Sequence, residues 1–135
     1  MTRPLRIAQV APPMERVPPR AYGGTERVVH ELVKELVRRG HEVTTFASGD
    51  SDVPGRLIPT VPDALRPVGY DGDASPYFYL TILEVLDRAG DFDLIHSHLE
   101  WASILSRGFR RFQSSRPSMA ASTCPGPTRS CGTPA

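Results

Sequence analysis

The sequence predicts an α/β domain in which a parallel sheet is flanked by helices. Between Leu5 and about Ile104, apolar segments of strand length alternate with segments of helix length. Clusters of Pro, Gly and Asp separate them. The resulting order, β-α-β-(β)-α-β-α, implies parallel strands joined by right-handed crossovers.

Each element has its own signature. LRIAQVA, Leu5 to Ala11, is a short run rich in Ile and Val that reads as a buried strand, ended by Pro12 and Pro13. The helix after it places Val28, Val29, Leu32, Val33, Leu36 and Val37 on one face and Glu31, Lys34, Glu35, Arg38 and Arg39 on the other. Gly40 then supplies a left-handed residue, just after a basic pair that suits the negative end of the helix dipole. EVTTFA, Glu42 to Ala47, is the second strand. RLIPTV, Arg56 to Val61, is a third, and its internal proline predicts an edge position. Ser75 and Pro76 open a second helix whose apolar face is Tyr79, Leu80, Ile82, Leu83 and Leu86. DLIHSH, Asp93 to His98, is the next strand, and LEWASIL starts a further helix.

At 135 residues the chain is long enough for one domain with a hydrophobic core and short for two. Its 16 Lys and Arg against 15 Asp and Glu leave a formal charge of +1, so no strong field attracts nucleic acid or anionic lipid. The amino terminus lacks the apolar run and cleavage site of a signal peptide, and nowhere do about 18 apolar residues run together. These features predict a cytoplasmic protein with no transmembrane segment. Cys124 and Cys131 are spaced too widely for a CxxC pair and have no His nearby, so they read as incidental thiols.

AYGGTERVVHELVKELVRRGHEVTTFA, residues 21 to 47, puts two glycines where a helix begins. A strand, a loop, paired glycines and a helix start form the place where parallel α/β sheets take ligands. Bare amides at a helix N-terminus attract anions, and glycine lets a phosphate or sugar approach the backbone. Gly23 and Gly24 fit that role; in a second reading they only shape the turn, with Thr25 as N-cap. No GxGxxG follows the first strand and no acidic residue closes the second in the dinucleotide manner, so a nicotinamide enzyme is disfavoured. The absence of GxxxxGK(S/T) excludes a P-loop.

Taken together, RIAQVAPP, then YGGTERVVHELVKELVRRGHEVTTFASGDS, then FDLIHSHLEW resembles the amino-terminal domain of retaining family 4 glycosyltransferases of the GT-B fold. The resemblance covers residues 5 to about 104, and the GG-x-E loop with a helix ending in RGHEV is its most distinctive part. It implies a Rossmann-like sheet, one half of a GT-B fold, with residues 1–104 as the acceptor-side domain. It also implies transfer of a sugar from a nucleotide-activated donor to an acceptor, in a cleft between two domains. Gly23 and Gly24 match the loop that approaches the donor phosphates, and Thr25 and Glu26 begin the helix. Glu26 reads either as an acceptor contact or as a first-turn carboxylate that favours the dipole by ~0.3 to 1 kcal/mol. The resemblance implies no cofactor or metal and assigns no catalytic residue here, because the groups that act on the donor belong to the family's second domain. The 135 residues are accordingly expected to be inactive by themselves. A non-catalytic acceptor-binding module and a non-functional gene remnant are the alternatives.

His96 and His98 alternate at a strand end, so they share a face near the expected cleft, with Glu100 and Trp101 close by. A His-x-His pair can bind metal, but no third ligand is evident, and lining the acceptor pocket or packing is the expectation. Trp101 reads as a sugar-stacking ring or as core. Arg16 and Arg20, in the long loop, meet either an anionic substrate group or solvent. His30 and His41 read as structural or exposed, and Asp50 and Asp52 as polar loop groups.

From residue 105 the chain loses periodicity and becomes rich in Ser, Pro and Arg, which reads as a disordered or non-native tail. The family would continue with a buried strand and a His-Gly turn. Codons read one base earlier, with GC-rich third positions, recover both: Met119-Ala120 requires ATG-GC, whose shifted codon GGC encodes Gly, and the codon before it can encode His. A single-base frameshift near the codons for Ile104 and Leu105 is therefore predicted. Sequencing the gene tests this, and the reading fails if no inserted or deleted base restores a long open frame.

Overall fold

The computed structural model describes residues 3–99. Strand β1 (Arg6–Val10) leads to helix α1 (Gly24–Arg38), then β2 (Glu42–Ser48), β3 (Arg56–Val61), helix α2 (Ser75–Asp87), a 3-10 turn (Ala89–Asp91) and β4 (Leu94–Ser97). Beyond Leu99, the helix expected in LEWASIL, Glu100, Trp101, both cysteines and the tail from residue 105 lie outside the described residues.

All four strands run parallel in the order β3-β2-β1-β4, which is the expected Rossmann-like α/β sheet. Strand β3 takes the edge, where Pro59 withholds no amide that an inner strand would need. Beside it the register against β2 shifts between Ala47 and Ser48. At the other side Asp93 fastens the start of β4 to β1, accepting from the Arg6 amide at 2.9 Å and from Arg6 Nη2 at 3.1 Å. These bonds from Arg6 hold the exposed Asp93 carboxyl down to a pKa of about 2.

Side-chain alternation along the strands splits the core into two layers. Val43 and Ala47 of β2 meet Val29 and Val33 of α1, whereas Phe46 joins Ala8, Val10, Ile58 and the α2 residues Ile82, Val85 and Leu86. Full burial of one such aliphatic side chain is worth ~1.5–3 kcal/mol, against ~0.2–0.5 for a helix-surface ion pair. Val29 and Val33 therefore seat α1, and the Glu35 contacts with Arg38 and Arg39, each 2.7 Å, only decorate its outer face. The helix ends as its glycine predicts. Gly40, at φ +88°, donates to Val37 O and His41 donates to Leu36 O, the paired bonds of a Schellman motif.

Two apolar faces differ from their sequence-based assignment. Val28 is 60% exposed, because a helix turns 100° per residue and seating Val29 on the sheet carries Val28 to the flank. On α2 only Ile82 and Leu86 of the expected face are buried, together with Thr81 and Val85, while Tyr79, Leu80 and Leu83 are exposed. That helix carries apolar residues nearly all round, so periodicity could not choose its inner side. Thr81 is tolerated inside because its hydroxyl donates to Tyr77 O at 2.8 Å.

Thr45, on the α1 side of β2, is fully buried, and among the described residues its Oγ1 is a buried side-chain atom with no hydrogen-bond partner. An unsatisfied buried hydroxyl costs about 1–3 kcal/mol. Thr45→Val should therefore raise stability by about 1 kcal/mol in chemical denaturation. An unchanged or lower midpoint would mean that the hydroxyl is satisfied in solution.

Candidate functional site

Strand β1 delivers the chain to the carboxyl edge of the sheet, where Pro12 and Pro13 turn it into a long loop. Backbone and side-chain bonds fasten this loop on two sides. Val17 N donates to Ser51 Oγ at 2.9 Å and Asp52 N donates to Val17 O at 2.7 Å. Leu65 N donates to Pro13 O and Arg66 N to Met14 O, at 3.1 and 2.9 Å.

The loop closes on Gly23, whose φ of +140° disfavours any other residue. A Cβ there would sit 2.8 Å from Pro19 Cβ and 2.9 Å from Glu26 Oε2. Gly24 has no such neighbour; a Cβ on it would meet nothing within 4 Å. Helix α1 starts at Gly24 with Gly23 as N-cap, and Arg27 N donates to Gly23 O at 3.2 Å. Thr25 therefore lies inside the first turn and is not the N-cap that the alternative reading made it. The backbone reversal at Gly23 ends the loop two residues earlier, and no side chain caps the helix.

Glu26 is only 5% exposed, and its carboxylate bonds its own backbone N–H. Burial pushes its pKa up, the nearby Glu15 adds to this, and the amide bond and Arg66 oppose it. His98, half-buried at the end of β4, donates its backbone N–H to Val10 O at 2.9 Å. Its Nε2 lies 3.0 Å from Gln9 Oε1, and in the tautomer that donates to this oxygen Nδ1 keeps a lone pair. Burial, and secondarily His96, push the His98 pKa down.

Gly23, Gly24, Thr25, Glu26 and His98 line one open cavity of about 380 Å³, with Tyr22, Arg66 and Phe78 among its other walls. Five of the six residues singled out in the sequence thus share one site. His96, the sixth, is exposed and does not line it; its ring lies 4.3 Å from that of His98. Sequence reasoning missed Gln9, Glu15, Tyr22 and Arg66. The Glu15–Arg66 ion pair, at 2.9 Å, joins distant loops and carries no motif. Gln9 carried one usable signal, a polar residue inside an apolar strand. Among the described residues no group of three or more His, Cys, Asp or Glu is placed to hold a metal. No helix among them is long and apolar enough to cross a membrane. His41 is structural, its Nδ1 accepting from Leu5 N at 3.2 Å.

An all-parallel sheet with a glycine-headed helix over a polar cavity at its carboxyl edge makes this an α/β Rossmann-like domain. The model of Glycosyltransferase Family 4 matches residues 22–119, from the glycine loop past β4 and beyond the described residues, and the chain belongs to that family. The site thus lies in a glycosyltransferase domain. No curated protein matches the chain.

The two glycines should separate on substitution. Gly23→Ala meets both positive φ and close contacts and should cost about 1–3 kcal/mol. Gly24→Ala, in open space, should change stability by no more than about 0.5 kcal/mol. Denaturant midpoints measure both, and equal losses would show that the loop geometry described here is not what constrains Gly23.

Proposed function

We propose that this domain is the acceptor side of a retaining transferase that moves a sugar from a nucleotide-activated donor to a hydroxyl-bearing acceptor. The observation that carries the proposal is the convergence of Gly23, Gly24, Thr25, Glu26 and His98 on a single cavity at the strand ends. The Gly24 and Thr25 amides, ahead of the one that Glu26 engages, have no partner within the helix, so they offer donors to the phosphates of the sugar donor. His98, neutral near pH 7 because burial depresses its pKa, holds a lone pair for an acceptor hydroxyl. Glu26 lies where it can accept from a second hydroxyl.

Transfer requires more than this cavity supplies. As the bond from the sugar to the diphosphate breaks, negative charge grows on the leaving oxygen and must be met by fixed donors or cations. Arg66 is the Arg or Lys among the described residues lining the cavity, and it is already engaged by Glu15. The domain therefore binds and orients, and catalysis needs a second domain to close over the donor. On this reading the transfer takes place in the cytoplasm and takes no metal from this chain.

The test is an NMR titration of the 135-residue chain with glucose and with UDP-glucose, paired with an assay for glucosyl transfer and donor hydrolysis. Shifts centred on the Gly24 amide and the His98 ring, without turnover, are the expected result. Turnover by this chain would overturn the claim of inactivity. Sugar-induced shifts confined to other parts of the surface would overturn the site.

A further inference from the structure

A second cavity of about 350 Å³ adjoins the first, and Tyr22 and Arg66 form a wall common to both. Its remaining charged groups are Arg16, Arg20, Glu15 and Asp50. Of the two acids, Glu15 is ion-paired and Asp50 is hydrogen-bonded to the backbone. Glu15 is 6% exposed and holds Arg66 at 2.9 Å, while Asp50 Oδ1 accepts from the Ala64 amide at 3.2 Å. Arg66 is further fixed by lying 5.1 Å over the Tyr22 ring.

The cations Arg16 and Arg20 differ from Arg66 in having no carboxylate partner among the described residues. Arg16 donates Nε to the Asp50 carbonyl at 2.8 Å, which sets the direction of its guanidinium without forming an ion pair. Arg20 makes neither a hydrogen bond nor an ion pair among the described residues. The loop between them is fastened at Val17, itself fully buried. Together with Arg66, Arg16 and Arg20 put three guanidinium groups against two carboxylates in this cavity, and the two that form no ion pair among the described residues match the oxygens of a phosphate.

We propose that the second cavity is a phosphate subsite for the acceptor, which is therefore a phosphorylated hydroxyl compound spanning both cavities. This rests on the reading of the first cavity as the place of the reacting hydroxyl. The donor's diphosphate is assigned elsewhere because Gly23 and Gly24, whose amides suit it, line the first cavity and not the second.

The test uses the 135-residue chain labelled with nitrogen-15 and three probes: glucose, glucose 6-phosphate and UDP. Glucose 6-phosphate should shift the Nε–H signals of Arg16 and Arg20 together with the Gly24 amide, and should bind more tightly than glucose. Arg20→Gln, which removes no hydrogen bond or ion pair among the described residues, should weaken glucose 6-phosphate by about tenfold and narrow its advantage over glucose. Equal affinities with silent arginine signals would overturn the subsite while shifts at Gly24 kept the first cavity's role. Arginine shifts with UDP and not with glucose 6-phosphate would assign the subsite to the donor and overturn the acceptor proposal. Silence at Gly24 and His98 with every probe would instead sink the reading of the first cavity.

Discussion

Strand β1 is hydrogen-bonded on both flanks, and the position of every group in the cavity follows from that pairing. Ile7 to Val10 run in register with Val43 to Phe46 on one side and with Leu94 to Ser97 on the other. The same ladder extends past the strand ends, where Ala11 N donates to Phe46 O and His98 N donates to Val10 O. Because all strands are parallel, the loop after β1 and the end of β4 emerge at one edge. Residues distant in sequence, Gly23 and His98, thus meet without direct contact to hold them.

The cavity's chemistry follows from its burial. Glu26 and His98 carry opposite intrinsic charges, yet desolvation moves the first up and the second down, each toward its neutral form. Both groups therefore face the first cavity with their charged forms disfavoured relative to water. Arg16 and Arg20, which form no ion pair among the described residues, lie next door, behind the Tyr22 and Arg66 wall. The two cavities therefore differ in the charges that line them, although one loop builds part of both.

The strands were legible because their β-branched runs are short and bounded by Pro, Gly and Asp, and α1 because its two faces differ in polarity. The inner face of α2 was not, since Tyr79, Leu80 and Leu83 are as apolar as the Ile82, Val85 and Leu86 that won burial. In the site, Gly23 announced itself through a backbone need that only glycine meets easily. Glu15, Tyr22 and Arg66 carry no such mark, for an ion pair between loops depends on where two separate turns end.

By itself the sequence determined the kind and order of the elements, the edge position of β3 and the glycine-headed helix, because those depend on local conformational preference and hydrophobic period. Tertiary structure decided which side of α2 turns inward, that Thr25 sits within the helix, that Gln9 orients His98, and that His96 stays outside the cavity. These are outcomes of strand register and of competition for burial. Both arise only when segments far apart in the chain are packed against one another.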